Sequence, residues 1–268
     1  MIRDITIGQY YPSGSVIHKL DPRTKIIATF FFIVSLFLFD SFAGYAVVVA
    51  FLAICIKLSK VPFSYMVKGL KAIVMLLLLT VIINMFMTPG EPLVSYGIFT
   101  ITKQGFRAAL FMGLRLMLLI IGSSLMTLTT TPNNLTDALE KLLGPLKVFK
   151  FPVHEIAMMM SIALSFIPIL IEETDKIMKA QMARGADFEN KNIIKRIKSY
   201  VPVLVPLFIS AFRRAGDLAM AMEARCYRGG EGRTKMKPLK YGRRDYVAYV
   251  VCAIYIVALI AVSKIVRI

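Results

Sequence analysis

The sequence contains no tryptophan, two histidines and three cysteines. Cys55, Cys226 and Cys252 have neither CxxC spacing nor an even count, so the pattern predicts no disulfide framework and no zinc site. The chain also lacks the Walker A, GxSxG and HExxH motifs, and His154 with Glu155 does not make a catalytic site by itself. We therefore expect a chain that is not an enzyme and binds no metal or cofactor, with an intramembrane enzyme as the remote alternative.

Acidic residues are also few, 16 against 33 lysines and arginines, which gives a net charge of +17. The basic residues cluster: four in 1–25, four in 57–71 and 20 in 131–245, against Lys103 alone in 88–105. Basic residues sorted in this way between apolar segments follow the positive-inside rule of membrane proteins. We expect a cytoplasmic N-terminus, an external C-terminus and no nucleic-acid partner.

Hydrophobic residues make up 57% of the chain and mean hydropathy is +0.68, above the 45–50% apolar content of soluble domains. Long apolar runs with few charges predict an all-α integral membrane protein lying in the lipid bilayer. About five transmembrane helices are expected, beside a cytoplasmic domain of one short and two long crossing helices. The first two runs are short, so they form either two helices joined by a turn at 40–44 or one long bent helix.

The predicted segments have the following bounds. They are a cytoplasmic N-terminal segment 1–25, a membrane domain 26–130 with spans at about 26–39, 42–57, 72–88 and 106–130, a cytoplasmic domain 131–245 with helices at about 133–143, 152–184 and 191–227, and a final transmembrane helix 246–268.

Local signals mark several helix ends. Asp21 before Pro22 predicts an N-cap followed by a first helical residue. Pro132 suits the start of the short helix, where Asn133 or Asn134 could act as its cap. The stretch 88–105 is rich in proline and glycine, so it is predicted to be a loop.

The two long helices share a plan and end in nearly the same six residues. Residues 180–185 read AQMARG, and residues 221–226 read AMEARC, 41 positions later. In each helix an apolar half precedes a charged half, and Gly185 suits the position just after a helix end. Prolines inside the two helices predict kinks at Pro168, Pro202 and Pro206.

The matching ends suggest a binding role for Arg184 and Arg225. A single cation at a helix C-terminus is explained by the helix dipole, which it complements by about 0.3–1 kcal/mol. The dipole does not explain why alanine precedes both arginines, whereas a slim helix end that presents a bidentate arginine suits docking into a partner groove. The methionines, Met158, Met159 and Met160 among them, are either ordinary apolar filler or an adaptable contact surface.

Four motifs together resemble a known family. They are Leu20-Asp21-Pro22-Arg23-Thr24-Lys25, Thr130-Thr131-Pro132, the stretch from Ile167-Pro168 to Ala180–Gly185, and Ala221–Tyr227. Over nearly its whole length the chain resembles the transmembrane (T) component of energy-coupling factor (ECF) transporters, which import vitamins and trace metals into prokaryotic cells. Many members have glycine where this chain has Cys226.

The resemblance implies a scaffold in the prokaryotic cell membrane between two ATPase subunits, which bind the ATP and Mg, and one substrate-binding (S) subunit. The S subunit is either one of several interchangeable ones or, as the alternative, a single one dedicated to one metal or vitamin. On this reading the long helices are coupling helices that pivot at their three prolines. The implied ATPase-docking residues are Ala183, Arg184, Gly185, Ala224, Arg225 and Cys226, and the implied S-subunit contacts are Met158, Met159, Met160 and Ile162.

Overall fold

The computed structural model describes residues 10–39, 41–96, 99–188, 192–230 and 236–267. The parts of the predicted segments at 1–9, 40, 97–98, 189–191, 231–235 and 268 lie outside the described residues. The described α-helices are α1 Pro22–Leu38, α2 Phe42–Ser59, α3 Phe63–Met87, α4 Lys103–Thr129, α5 Pro132–Leu142, α6 Val153–Ala183, α7 Ile193–Ala224 and α8 Arg243–Arg267. A 3₁₀ helix at Gly144–Phe149 and strands β1 Pro92–Tyr96 and β2 Phe99–Thr102 complete the set.

The all-α membrane fold class is confirmed. Among the described residues, four helical segments are long and apolar enough to cross a membrane: Phe42–Ser59, Lys103–Thr129, Val153–Ala183 and Arg243–Lys264. The third of these is α6, which the sequence prediction places in the cytoplasmic domain. Its composition qualifies because its first half is almost entirely apolar.

The start of α3 differs from the prediction, because this helix begins at Phe63 and takes in part of the predicted basic loop before the span at 72. Other helix starts lie closer to the predicted positions. Asp21 caps α1 by accepting the N–H of Arg23 at 2.9 Å, and Pro22 is the first helical residue. The helix α5 begins at Pro132 as predicted, but the predicted cap was wrong. Thr131 takes that place, because its hydroxyl oxygen accepts the N–H of Asn134 at 3.4 Å.

The first two apolar runs form two helices and not one bent helix, because α1 ends at Leu38 and α2 begins at Phe42. The prediction of a loop at 88–105 was wrong in part, because β1 and β2 pair there as an antiparallel hairpin. The β-branched and aromatic residues of these short strands favour that pairing over an irregular loop. α4 also starts earlier than expected, at Lys103.

The chain divides into two compact units, which we call the bundle unit (residues 10–138 and 239–267) and the long-helix unit (residues 139–238). The core of the bundle unit is formed by α1, α2, α4 and α8, with Leu36 and Leu259 fully buried in it. Gly122 of α4 lets the ring of Phe32 approach closely, as small residues do between membrane helices. Phe31 and many other large apolar side chains are exposed, which suits a lipid-facing surface.

Polar contacts fix the start of α1 inside the bundle unit. Arg23 and Asp21 form an ion pair at 2.8 Å, and the Asp21 N–H donates to Asp245 Oδ1 at 2.7 Å. Lys25 Nζ donates to the backbone oxygen of Thr129 at 2.7 Å. Burial lowers the pKa of Lys25 from 10.5 to about 8, although Asp21 and Asp245 oppose this shift. The first motif of the sequence resemblance is therefore a structural anchor between α1, α4 and α8.

Candidate docking tips on two long helices

α6 ends in a Schellman motif. The N–H of Ala186 donates to the Gln181 oxygen at 3.0 Å, and the N–H of Gly185 donates to the Met182 oxygen at 2.9 Å. Gly185 has φ +89°, the left-handed conformation that this cap requires and that glycine adopts without steric cost. We call Ala183, Arg184 and Gly185 the first tip.

α7 ends in the same way, although it has no glycine. The N–H of Tyr227 donates to the Met222 oxygen at 3.0 Å, and the N–H of Cys226 donates to the Glu223 oxygen at 2.8 Å. Cys226 takes the left-handed conformation with φ +54°. We call Ala224, Arg225 and Cys226 the second tip, and its backbone repeats that of the first tip.

All six residues of the two tips are exposed. Arg184 and Arg225 are the cap residues of their helices, so each guanidinium stands just where the helix stops. Within the described part of the chain, neither arginine takes part in an ion pair. The arrangement offers two similar cationic ends that are free to bind a carboxylate of another molecule.

Three contacts show that α6 and α7 pack in antiparallel directions. Glu173 and Arg214 form an ion pair at 3.0 Å, with side chains that are 26% and 39% exposed. Gln181 Nε2 donates to the backbone oxygen of Pro202 at 3.2 Å, and Gly230 packs against the ring of His154. As the position along α6 rises, its partner along α7 falls, so the two tips lie at opposite ends of the pair.

The distance between the tips follows from this packing. Glu173 and Arg214 each stand 11 residues before the arginine of their own tip. The two arms together comprise about 22 residues, which corresponds to roughly 33 Å of helix. At this separation the two arginines cannot bind the same carboxylate.

The sequence is similar to a family of known proteins. A sequence model of the family described as "Cobalt transport protein" matches residues 13–236. The "Energy-coupling factor transporter transmembrane protein EcfT" of Clostridium kluyveri is 57% identical over 267 residues, covering 99% of this chain and 98% of that protein. The proteins of the same name from Ruminiclostridium cellulolyticum (58% over 245 residues, 91% and 92% covered) and Bacillus subtilis (48% over 261 residues, 97% and 98% covered) are also similar.

The chain belongs to the family of energy-coupling factor transporter transmembrane proteins. The family resemblance given by the sequence motifs is thereby confirmed. The chain is a multi-pass membrane protein and a component of ECF transporters.

The remaining predicted site residues of this ECF component lie along α6 and α7. Met159 and Met160 are 57% and 41% exposed, while Met158 and Ile162 are half-buried. Together they leave an apolar surface on α6 that this chain covers only in part. α6 contains Pro168, and α7 contains Pro202 and Pro206. Both helices continue through their prolines. The predicted kinks and pivots at these prolines stay predictions.

His154 and Glu155 have different surroundings. His154 Nδ1 stands 2.9 Å from Glu140 Oε1, and its ring packs so closely on Gly230 that a Cβ there would overlap it. Glu155 points outward and is exposed. Among the described residues, no cluster of three or more His, Cys, Asp or Glu side chains could hold a metal ion.

The sequence predictions missed the contacts that hold α6 against α7. Only the first of the two matching phrases has glutamine, at Gln181, whereas the second has Met222 in the same place. This difference was the available signal, since the glutamine amide can donate a hydrogen bond to a neighbouring helix and methionine cannot. Pro206 supplied the second signal, because it leaves the oxygen of Pro202 without its usual helical donor.

Proposed function

We propose that this chain is the scaffold and energy-coupling subunit of an ECF-type ABC importer for vitamins or trace micronutrients. In this role it joins two ATPase subunits, which bind ATP and Mg, to a membrane substrate-binding subunit. The observation that carries the proposal is the pair of matching exposed caps at opposite ends of α6 and α7. Two related ATPase subunits would present two related grooves, and each tip would enter one of them.

The coupling step follows from the helix pair. When the ATPases close on ATP, the two tips move relative to each other. The contacts between Glu173 and Arg214, and between Gln181 and Pro202, transmit that movement along the pair. The helices bend at Pro168, Pro202 and Pro206, where the backbone ladder is already interrupted.

The apolar surface at Met158, Met159, Met160 and Ile162 is the proposed contact for the S subunit. Its exposed methionines supply flexible side chains that can fit partners of different shape. Bending of α6 would shift this surface and tip the S subunit in the membrane, so that substrate is released inside. Neither ATP nor substrate would bind to this chain itself.

The distribution of basic residues supports an orientation. The long-helix unit and the N-terminal segment would be cytoplasmic, and the C-terminus would lie outside the cell membrane of a prokaryote. Five spans, formed by the apolar stretches of α1 to α4 and α8 and beginning in α1 at Ile26, would place the two termini on opposite sides. Cysteine labelling from outside tests this: a cysteine after Ser263 should react, and one at Lys237 should not.

Co-purification tests the docking role. The tagged chain is extracted in mild detergent as wild type, with Arg184→Glu, with Arg225→Glu and with both. Wild type should retain two ATPase subunits, each single variant should lose part of them, and the double variant should lose both. Lys237→Glu changes charge equally at another exposed site of the long-helix unit and serves as the control. Retention of both ATPases by the double variant would contradict docking by the tips.

A dedicated transporter is the second candidate, because the matching family model is described as a cobalt transport protein. Mass spectrometry of S subunits captured with the chain distinguishes the two. Several different S subunits would support a shared module, whereas a single one under all growth conditions would support dedication.

A further inference from the structure

The bundle unit contains an apolar cavity of about 240 Å³ between α1, α2, α4 and α8. It lies toward the end where α1 and α8 begin and α2 and α4 end, and the exposed lining residues Val16 and Arg244 mark an opening there. Its walls are mostly hydrocarbon, with Phe32, Leu52, Leu125 and Val251 among them. An apolar cavity of about 150 Å³ is known to accept benzene, so this one has room for several methylene groups.

One polar side chain at the open end has no partner. Thr24 is only 1% exposed, lines the cavity, and has a hydroxyl group without a hydrogen bond. Buried polar groups are nearly always paired, with protein or with ordered water. The hydroxyl of Thr24 is therefore available to a polar group of a ligand at this end of the cavity.

Two cations line the same end. Lys25 Nζ donates to the backbone oxygens of Thr129 at 2.7 Å and His18 at 3.3 Å, which uses two of its three N–H groups. Arg244 lies at the exposed rim of the cavity. None of the described residues that line the cavity is acidic. The ligand should accordingly be negatively charged at its polar end.

Two carboxylates lie just beyond the lining and are occupied elsewhere. Asp21 pairs with Arg23, and Asp245 accepts the backbone N–H groups of Asp21 and Gly242. Arg23 offsets the charge of Asp21, whereas the charge of Asp245 still acts on Lys25. Lys25 and Arg244 together outweigh Asp245, so a ligand at the opening would meet a net positive charge.

We propose that this cavity binds one acyl chain of an anionic phospholipid, whose head group contacts Thr24, Lys25 and Arg244. From Thr24 to Phe32 the cavity follows eight residues of α1, roughly 12 Å, which accommodates the first part of an acyl chain. In the proposed orientation this end of the cavity would lie near a membrane surface, where phospholipid head groups are found. This site is independent of the tips on α6 and α7.

Fluorescence quenching by brominated lipids tests the proposal, because the chain has no native tryptophan. Phe51→Trp places a single reporter on the cavity wall, and Phe31→Trp places one on the outer face of α1, where Phe31 is 47% exposed. The full-length protein is reconstituted in phosphatidylcholine vesicles that contain a small fraction of brominated phosphatidylglycerol or brominated phosphatidylcholine. Brominated phosphatidylglycerol should quench the cavity reporter about five times more strongly than brominated phosphatidylcholine, because basic residues attract anionic lipid. The outer reporter should show no preference.

Two variant pairs in the Phe51→Trp background locate the site. Arg244→Gln should remove most of the preference for phosphatidylglycerol, whereas Arg243→Gln, next to it and outside the lining, should not. Cys252→Phe fills the cavity and should abolish quenching by both lipids, whereas Ile254→Phe on the exposed side of α8 should leave it unchanged.

Three results would overturn the proposal. Equal quenching by the two lipids would mean that the cavity accepts any chain without reading its charge. No quenching of the cavity reporter would mean that a protein side chain fills the cavity. An unchanged preference for phosphatidylglycerol in Arg244→Gln would mean that the head group binds elsewhere. Because Arg244 is exposed, this variant tests the proposal even if Cys252→Phe fails to fold.

Discussion

Gln181 Nε2 donates a hydrogen bond of 3.2 Å to the backbone oxygen of Pro202. Within a regular helix that oxygen would accept the N–H of residue 206, but Pro206 has no N–H to give. The proline therefore creates an acceptor on α7, and the glutamine one turn before the first tip uses it. The break in the hydrogen bonding of α7 at Pro206 thus gives α6 a backbone acceptor to bind.

We predict that Gln181→Ala weakens the α6–α7 pair. The bond is solvent-exposed, so its loss should lower the free energy of unfolding by about 0.5–1.5 kcal/mol. Thermal unfolding of the purified protein measures the loss. Hydrogen exchange should also become faster around 202–206. Lys179→Ala, at an exposed position on the same helix, is the control, and equal shifts in the two variants would show that the bond contributes nothing.

The two tips should respond in opposite directions to substitution at their left-handed residue. A Cβ at position 185 would meet nothing within 4 Å, so Gly185→Ala adds backbone strain alone and should cost about 1 kcal/mol. Cys226→Gly relieves the same strain and should stabilise the second tip by a similar or smaller amount. Thermal unfolding measures both changes in stability. Cys226→Ala is the control, because it removes the thiol and keeps the Cβ that causes the backbone strain. Stabilisation by Gly185→Ala would contradict the strain argument.

Much of this architecture was predictable because helix ends have local chemistry. Asp21 with Pro22, and Gly185 at the end of the first repeated phrase, specify caps through contacts within a few residues. The hairpin at β1 and β2 was missed, because its strands are short and proline and glycine surround them. The cavity beside Thr24 could not be predicted either, because it depends on how four helices pack around it.

The same limit applies to the helix pair. Glu173 and Arg214 stand at equivalent places before the two tips, yet nothing in the sequence says that they meet. Hydrophobic periodicity identifies the buried face of each helix but not the partner or the direction in which it packs. The sequence resemblance predicted the role of the tips, and only the structure gives their antiparallel arrangement.

The Asp21–Arg23 pair should stabilise the start of α1 by charge as well as by capping. Asn is nearly as good an N-cap as Asp, so Asp21→Asn keeps the cap and removes the ion pair. Their side chains are 2% and 13% exposed, and breaking such a buried pair should cost about 3 kcal/mol. Chemical or thermal unfolding measures it. Asp217→Asn on an exposed face of α7 is the control.

Acid should have a related effect on Asp21. Burial raises the pKa of its carboxyl, but hydrogen bonds from the Arg23 side chain and backbone together with the nearby charges outweigh this, so the pKa is lowered below 3.8. The contribution of the pair is present above pH 3.8 and is lost as the pH falls below it. Asp21→Asn should lack this part of the acid transition, and an identical acid profile would contradict the assignment.

The free energy of unfolding should rise in mild alkali because of the titration of Lys25. Its ammonium precedes the apolar part of α1, and burial lowers its pKa from 10.5 to about 8. Between these values the folded protein has lost the proton while the unfolded chain still holds it, so unfolding takes up a proton. Stability should therefore increase as the pH rises from about 8 to about 10.5.

Lys25→Met isolates this effect, because it removes the titrating group together with its bonds to Thr129 and His18. Unfolding temperatures of wild type and variant are compared in detergent from pH 7 to 10.5. The difference between them should move in favour of wild type across the window, since only wild type gains stability there from the lost proton. Lys19→Met, at an exposed position, should give a difference that does not change with pH. A flat difference for Lys25→Met would mean that the ammonium stays protonated in the folded protein, stabilised by its two carbonyl acceptors.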